Sequence, residues 1–260
     1  LVEDLIRTFA FDNFVSIITD AREVIKEKQE AITDEFYDDY VRLVFGIGAE
    51  DDEERRSRSL VGGGIIPPEQ ASGDDVRLFS VHLMNRMIFV KFLEDKKIVR
   101  PDLLNTLKQV YDDGMYPQTF YQTFLEPLFY DVFNVKPENR ESQIDEIDPF
   151  EGIPYLNGGL FRPELNGSDE LDEREFNVRD SVLMSIIELL ERYQFSADGG
   201  PTDIDPSVLG NVFEKTINYI TIDDKNKNKE LGAYYTPSEI TRFCAEETVR
   251  PALLDPFKTH

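Results

Sequence analysis

A single cysteine, Cys244, no tryptophan and only two histidines, His82 and His260, stand among the 260 residues of this chain. One cysteine excludes an internal disulfide and a thiolate metal cluster, and it fits a reducing cytoplasm. Only two histidines leave almost no room for a zinc site of ordinary composition or a histidine-based triad. Basic residues are also scarce: 28 Lys and Arg face 52 Asp and Glu, a net charge of −24. Such a surface repels a phosphate backbone in ordinary salt. The acids are spread along the whole chain rather than gathered in a tail, which predicts the hydrated surface of a halophilic protein from an archaeal source. At 1 M salt the Debye length is about 3 Å, so net charge then says little about contact with DNA. No apolar run approaches the roughly 18 residues of a membrane span. The opening LVEDLIRTFAFDNF carries early acids in place of a basic leader. The expectation is a cytoplasmic protein with no membrane partner, and the start on Leu1 instead of Met suggests a piece of a longer one.

A hydrophobic fraction of 40%, with 12% aromatic residues, is enough for a packed core. The length allows one or two domains of roughly 100 to 200 residues. Helical periods run over residues 11–30 and 33–48, with Phe14, Ile17, Ile18, Ala21, Val24 and Ile25 on one stripe and Phe36, Tyr40, Leu43 and Val44 on another. Thr33 is a candidate N-cap for the second. From Gly46 to Asp75 the sequence carries DDEERRSRS, GGG and PP with no hydrophobic period, and it reads as a mobile loop. VRLFSVHLMNRMIFVKFLEDKK, from Val76, is apolar over most of its circumference and predicts a buried central helix. PDLLNTLKQVYDD and QTFYQTFLEPLFYDVF predict two more, the latter kinked or divided at Pro127. ELDEREFNV predicts a short extended excursion before the strong helix RDSVLMSIIELLERYQF. Asp205 and Pro206 offer an N-cap and first position for PSVLGNVFEKTINYI. The fold class is mainly α, an irregular multi-helix domain with long loops. Three regions are expected: N-terminal helices and loop over 1–75, a helical domain over 76–230, and a final segment over 231–260.

That final segment contains LGAYYTPSEI. Thr236, Pro237, Ser238 and Glu239 form a capping box, with Thr236 as N-cap and Glu239 at N3, so a helix starts here with Ile240, Phe243, Cys244 and Val249 on its apolar side. The free N–H groups and positive dipole end of a first helical turn receive a carboxylate. Tyr234 and Tyr235 beside it offer aromatic faces to a cation, an attraction of roughly 0.5 to 2 kcal/mol. Carboxylate and cation together describe an amino-acid-like ligand, the methionine part of S-adenosylmethionine among them. On spacing alone, a well-capped helix with two packing tyrosines accounts for the same residues.

Four segments, in order, resemble one family: MIFVKFLEDKKIV, IPYLNGGLF, IDPSVLGNVFEKTIN and GAYYTP, together spanning roughly residues 80 to 250. They are similar to landmarks of type IIG restriction-modification enzymes and the related BREX-type phage-exclusion enzymes, which are N6-adenine DNA methyltransferases. The resemblance implies that Tyr234, Tyr235, Thr236 and Pro237 bind S-adenosylmethionine, with the Thr236 hydroxyl the leading contact, Gly232 allowing close approach, and DNA as the substrate of the full-length protein. The LNGGLF and LGNVFE landmarks read physically as structure: Asn157, Gly158 and Gly159 suit a tight turn with positive φ, and Leu209, Val212 and Phe213 a buried stripe.

The catalytic motifs of that family have no counterpart here. The Gly-rich DPACGSG loop and the NPPY-type adenine grip are absent, and LLDPF at Leu253 to Phe257 reads as a helix end. A Mg²⁺-dependent nuclease site is not formed either: Glu94, Asp95 and Lys96 have the letters of a Glu-x-Lys pair but read as a solvated helix terminus. Acid pairs such as Asp38–Asp39 and Asp51–Asp52 read as surface charge. The expectation is therefore the helical region upstream of an adenine-specific methyltransferase domain, inactive alone and without catalytic or metal residues of its own. The alternative is a non-catalytic helical scaffold or protein-interaction module.

Overall fold

The computed structural model describes residues 31–47, 57–140, 149–156, 159–165, 171–195, 204 and 238–254. Chain contacts divide it into two compact units, Leu1–Pro206 and Ser207–His260. The described residues are mainly helical with one two-stranded sheet, as the hydrophobic periods predict.

In the first unit, helix α1 covers residues 31–45. Phe36, Tyr40 and Val44 are fully buried, so the predicted stripe is the packed face. Thr33 lies inside this helix rather than capping it. The segment expected to be a loop is built differently from residue 57 onward. Leu60–Gly64 makes a wide π-type turn, Ile65–Ile66 forms β1, and Leu60 and Ile65 enter the core. The three glycines hid this from a hydrophobic-period reading, because they replace the side chains on which such a period depends.

Helix α2, Gly73–Asp95, is the central element. It starts three residues before the expected Val76, at a reciprocal capping box. Ser72 Oγ accepts the Asp75 N–H at 3.2 Å and Asp75 Oδ2 accepts the Ser72 N–H at 2.9 Å. Phe79, Leu83, Met84, Met87, Ile88 and Val90 are fully buried around it. Helix α3 is Leu103–Asp113. Helix α4 covers residues 120–133 and is neither divided nor broken at Pro127. Two π-type turns, Tyr121–Leu125 and Leu128–Phe133, flank the proline, and the Glu126 N–H reaches Tyr121 O, five residues back. Widening the helix accommodates the N–H that proline lacks. The expected extended excursion is Asn177–Val178, β2, pairing antiparallel with β1 in the register Ile65 to Val178. Helix α5, Asp180–Glu191, follows, and Tyr193 and Phe195 beyond it pack edge-on against Phe36 of α1.

In the second unit the described element is helix α6, Ser238–Leu254. It agrees with a helix that begins near Ser238 and stops within LLDPF. Thr236 and Pro237, the predicted N-cap and first position, lie outside the described residues, as do residues 11–30, Asp205, Pro206, Leu209, Val212 and Phe213.

Candidate functional site

Tyr234, Tyr235, Thr236 and Pro237, together with Gly232, lie outside the described residues, so the predicted cofactor segment is represented by the helix that follows it. On α6, Ile240 is 51% exposed, Phe243 64% and Val249 54%, and Cys244 is exposed as well. The predicted apolar side therefore faces outward. Arg242 Nε donates to Glu246 Oε1 at 2.9 Å one turn on, a pairing that supports the helix from its own surface.

Two of the other landmarks, MIFVKFLEDKKIV and the described part of IPYLNGGLF, meet in the first unit, around two buried polar clusters; IDPSVLGNVFEKTIN lies, Ile204 apart, outside the described residues. In the first, Arg86 in the middle of α2 is 1% exposed. Its Nε donates to Leu160 O at 2.7 Å and its Nη2 to Arg162 O at 3.1 Å, so the guanidinium grips the backbone on both sides of Phe161 in the LNGGLF segment. Nη1 donates to the Tyr130 hydroxyl at 2.7 Å and lies 2.5 Å from Glu173 Oε2. The Tyr130 hydroxyl in turn donates a hydrogen bond to the same carboxylate oxygen at 2.8 Å, while His82 Nδ1 stands 2.5 Å from Glu173 Oε1. Burial alone would push the Glu173 carboxyl up; the His82 hydrogen bond and the Arg86 charge outweigh it and hold the group below the usual range. Every oxygen and nitrogen that the pair requires is supplied inside the fold. A planar fork of five donors suits this task as a lysine would not.

Gly159, the described glycine of that segment, does not need the conformational freedom the sequence suggests. Gly159 opens a 3-10 turn, Gly159–Phe161, without a left-handed φ, and a Cβ there would meet nothing within 4 Å. A positive φ, 77°, is found at Gly152 seven residues earlier. Asn157 and Gly158 lie outside the described residues.

The second cluster closes the FLED end of α2 and corrects the reading of Glu94 and Asp95 as a solvated terminus. Glu94 is 3% exposed, and its Oε1 accepts the Leu104 N–H at 2.8 Å. It caps α3 from a neighbouring helix. The residue in the N-cap position, Asp102, is left-handed (φ 57°) and makes no side-chain capping bond. Asp95 Oδ2 accepts the Phe195 N–H, a hundred residues away in sequence, at 2.7 Å. Lys91 Nζ lies 3.2 Å from Asp95, 3.6 Å from Glu191 and 3.8 Å from Glu94. A third acid works the same way: Asp180 Oδ1 accepts the Phe120 N–H at the start of α4 and Oδ2 the Tyr111 hydroxyl, both at 2.9 Å. Hydrophobic periodicity does not reveal acids that cap distant helices, but Asp or Glu inside an apolar run is the signal that could have found them.

Among the described residues no group of three or more His, Cys, Asp or Glu could hold a metal ion. None of their helices is long and apolar enough to cross a membrane. A cleft of about 330 Å³ lies between α1 and α5, lined by Asp39, Arg42, Leu43, Ser185 and Arg192 among others. Asp39 there already binds both arginines, at 2.9 and 2.8 Å, so it is surface charge in an ion-pair network, as the Asp38–Asp39 pair predicts.

No family model matches the chain, and no solved structure does. A protein of the archaeon Methanocaldococcus jannaschii, provisionally named as a type II restriction enzyme and methyltransferase, is 38% identical over 249 residues, which is 90% of this chain. The chain spans about a fifth of the length of that curated relative. Over nine tenths of its sequence, the chain is thus homologous with part of a restriction-modification methyltransferase.

Proposed function

We propose that this chain is the helical region of an adenine-specific DNA methyltransferase of the type IIG or BREX kind, which takes a methyl group from S-adenosylmethionine to adenine N6 in restriction-modification or phage defence. The observation that carries the reading is the 38% identity across 90% of the chain. It agrees with the four landmark segments that resemble that family. Tyr234, Tyr235, Thr236 and Pro237 form one wall of the cofactor site, with the Thr236 hydroxyl and the start of α6 taking the methionine end of the cofactor. The first unit serves as a rigid frame: Arg86 ties the LNGGLF segment to α2, and Glu94 and Asp95 tie the FLED end to α3 and to Phe195. The remainder of the protein supplies the Gly-rich loop and the adenine grip, and DNA is its substrate. Neither motif is in these residues, so the chain by itself is inactive.

Titration calorimetry with S-adenosylmethionine on a protein extended through the catalytic domain tests the reading. Thr236→Ala is expected to weaken binding about tenfold, the loss of one hydrogen bond of about 1 to 1.5 kcal/mol. A protein that binds no S-adenosylmethionine, with or without the substitution, would identify a helical scaffold instead.

A further inference from the structure

Among the described residues, the second polar cluster is short of positive charge. One ammonium, Lys91, faces three carboxylates: Glu94 and Asp95 on its own helix α2 and Glu191 at the end of α5. Glu94 is the least well served. Its Oε1 takes the Leu104 N–H, but its Oε2 is buried without a hydrogen-bond partner, and Lys91 stands beyond hydrogen-bond distance at 3.8 Å. Helix α3 meanwhile depends on this side chain, because Asp102 provides no side-chain capping bond of its own.

We propose that Glu94 is a proton-operated latch between α2 and α3: protonated, it holds the first turn of α3 at little cost, and ionised, it loosens that junction. The protonated carboxyl keeps Oε1 as an acceptor for Leu104 and leaves Lys91 to two carboxylates instead of three. Ionisation buries a second net negative charge among Lys91, Asp95 and Glu191 without offering Oε2 a donor. The same groups set the titration. Burial first, then Glu191 and Asp95, push Glu94 up to about 7 from 4.5, against the opposing Leu104 N–H and Lys91 charge. A carboxyl raised on folding contributes stability that is complete below about 4.5 and is lost as pH rises through about 7. The latch therefore opens across neutrality, in a direction opposite to the acid sensitivity of an ordinary ion pair.

Amide hydrogen exchange on the 260-residue chain, read as protection factors along residues 103–113, tests the latch. Between about pH 5.5 and 8.5, protection at Leu104 is expected to fall at least about tenfold in the wild type, the linkage of a single proton. In Glu94→Gln, which keeps the acceptor and removes the charge, it is expected to stay nearly level. Glu191→Gln provides a second arm should the first variant fail to fold: removing one negative neighbour moves the midpoint of the loss to lower pH and shrinks it. Parallel pH profiles for the wild type and either variant would overturn the proposal.

Discussion

Arg86 shows how much a single charged residue can be asked to do inside a helical core. It is buried among Phe129, Tyr130 and the LNGGLF backbone, and each of its donor groups has a partner. Arg86→Met is expected to destabilise the first unit by about 3 to 5 kcal/mol, because it strands the buried Glu173 carboxylate. The double variant Arg86→Met with Glu173→Leu should recover part of that loss in denaturant titrations; an additive double loss would mean that the charge pair is not the source. The pH sign follows from the same contacts. Glu173 is held below 4.5, so its contribution is present above that value and is lost as pH falls through its lowered pKa. The acid limb of stability should accordingly be shallower in Glu173→Gln than in wild type, measured by thermal melts between about pH 2 and 5.

At the scale of elements, the short turn before β1 is held by close approach rather than by apolar content. A Cβ added to Gly64 would stand 2.8 Å from Ser59 O and 2.9 Å from Val182 Cγ2 of α5, while the Gly64 carbonyl accepts the Arg179 N–H at 2.8 Å. Its neighbour Gly63 has φ 143°, and Gly63 O accepts Arg179 Nε at 2.9 Å. Gly64→Ala is expected to cost about 1 to 3 kcal/mol, read as a lower denaturation midpoint with unchanged slope. Gly159→Ala, with open space around it, should change stability by less than about 0.5 kcal/mol. The contrast was hidden in the sequence, where GGG and NGG look alike. What separates them is whether another element packs over the glycine.

For the whole molecule, the charge of −24 is the dominant physical fact. Several of its acids are structural: Glu94, Asp95 and Asp180 close helix ends or loops, and Glu173 balances Arg86. An excess of negative charge of this size is self-repelling, and that repulsion is screened by salt. The melting temperature is expected to rise with potassium chloride from about 0.1 to 2 M, more steeply than for a neutral protein of this size. A flat profile would remove the halophilic reading of the composition. Ile240 and Phe243 on α6 leave apolar side chains exposed to solvent on this strongly acidic chain.

The sequence by itself determined the described helices and their order. Period is a local property: α2 was legible from an apolar run that covers most of its circumference, and α5 from its strong apolar pattern, while α6 follows the expected start at Thr236 and Pro237, which lie outside the described residues. The landmark segments, too, were legible as a string of residues, and the archaeal relative supports the coarser part of what they implied, a restriction-modification methyltransferase relationship. For the two landmarks among the described residues, MIFVKFLEDKKIV and LNGGLF, tertiary structure alone decided which contacts they enter. Arg86 reaches carbonyls 74 and 76 residues away, and Asp95 reaches an amide 100 residues away. No local pattern encodes such pairings, because a buried charge is tolerated only where groups from distant parts of the chain converge to satisfy it.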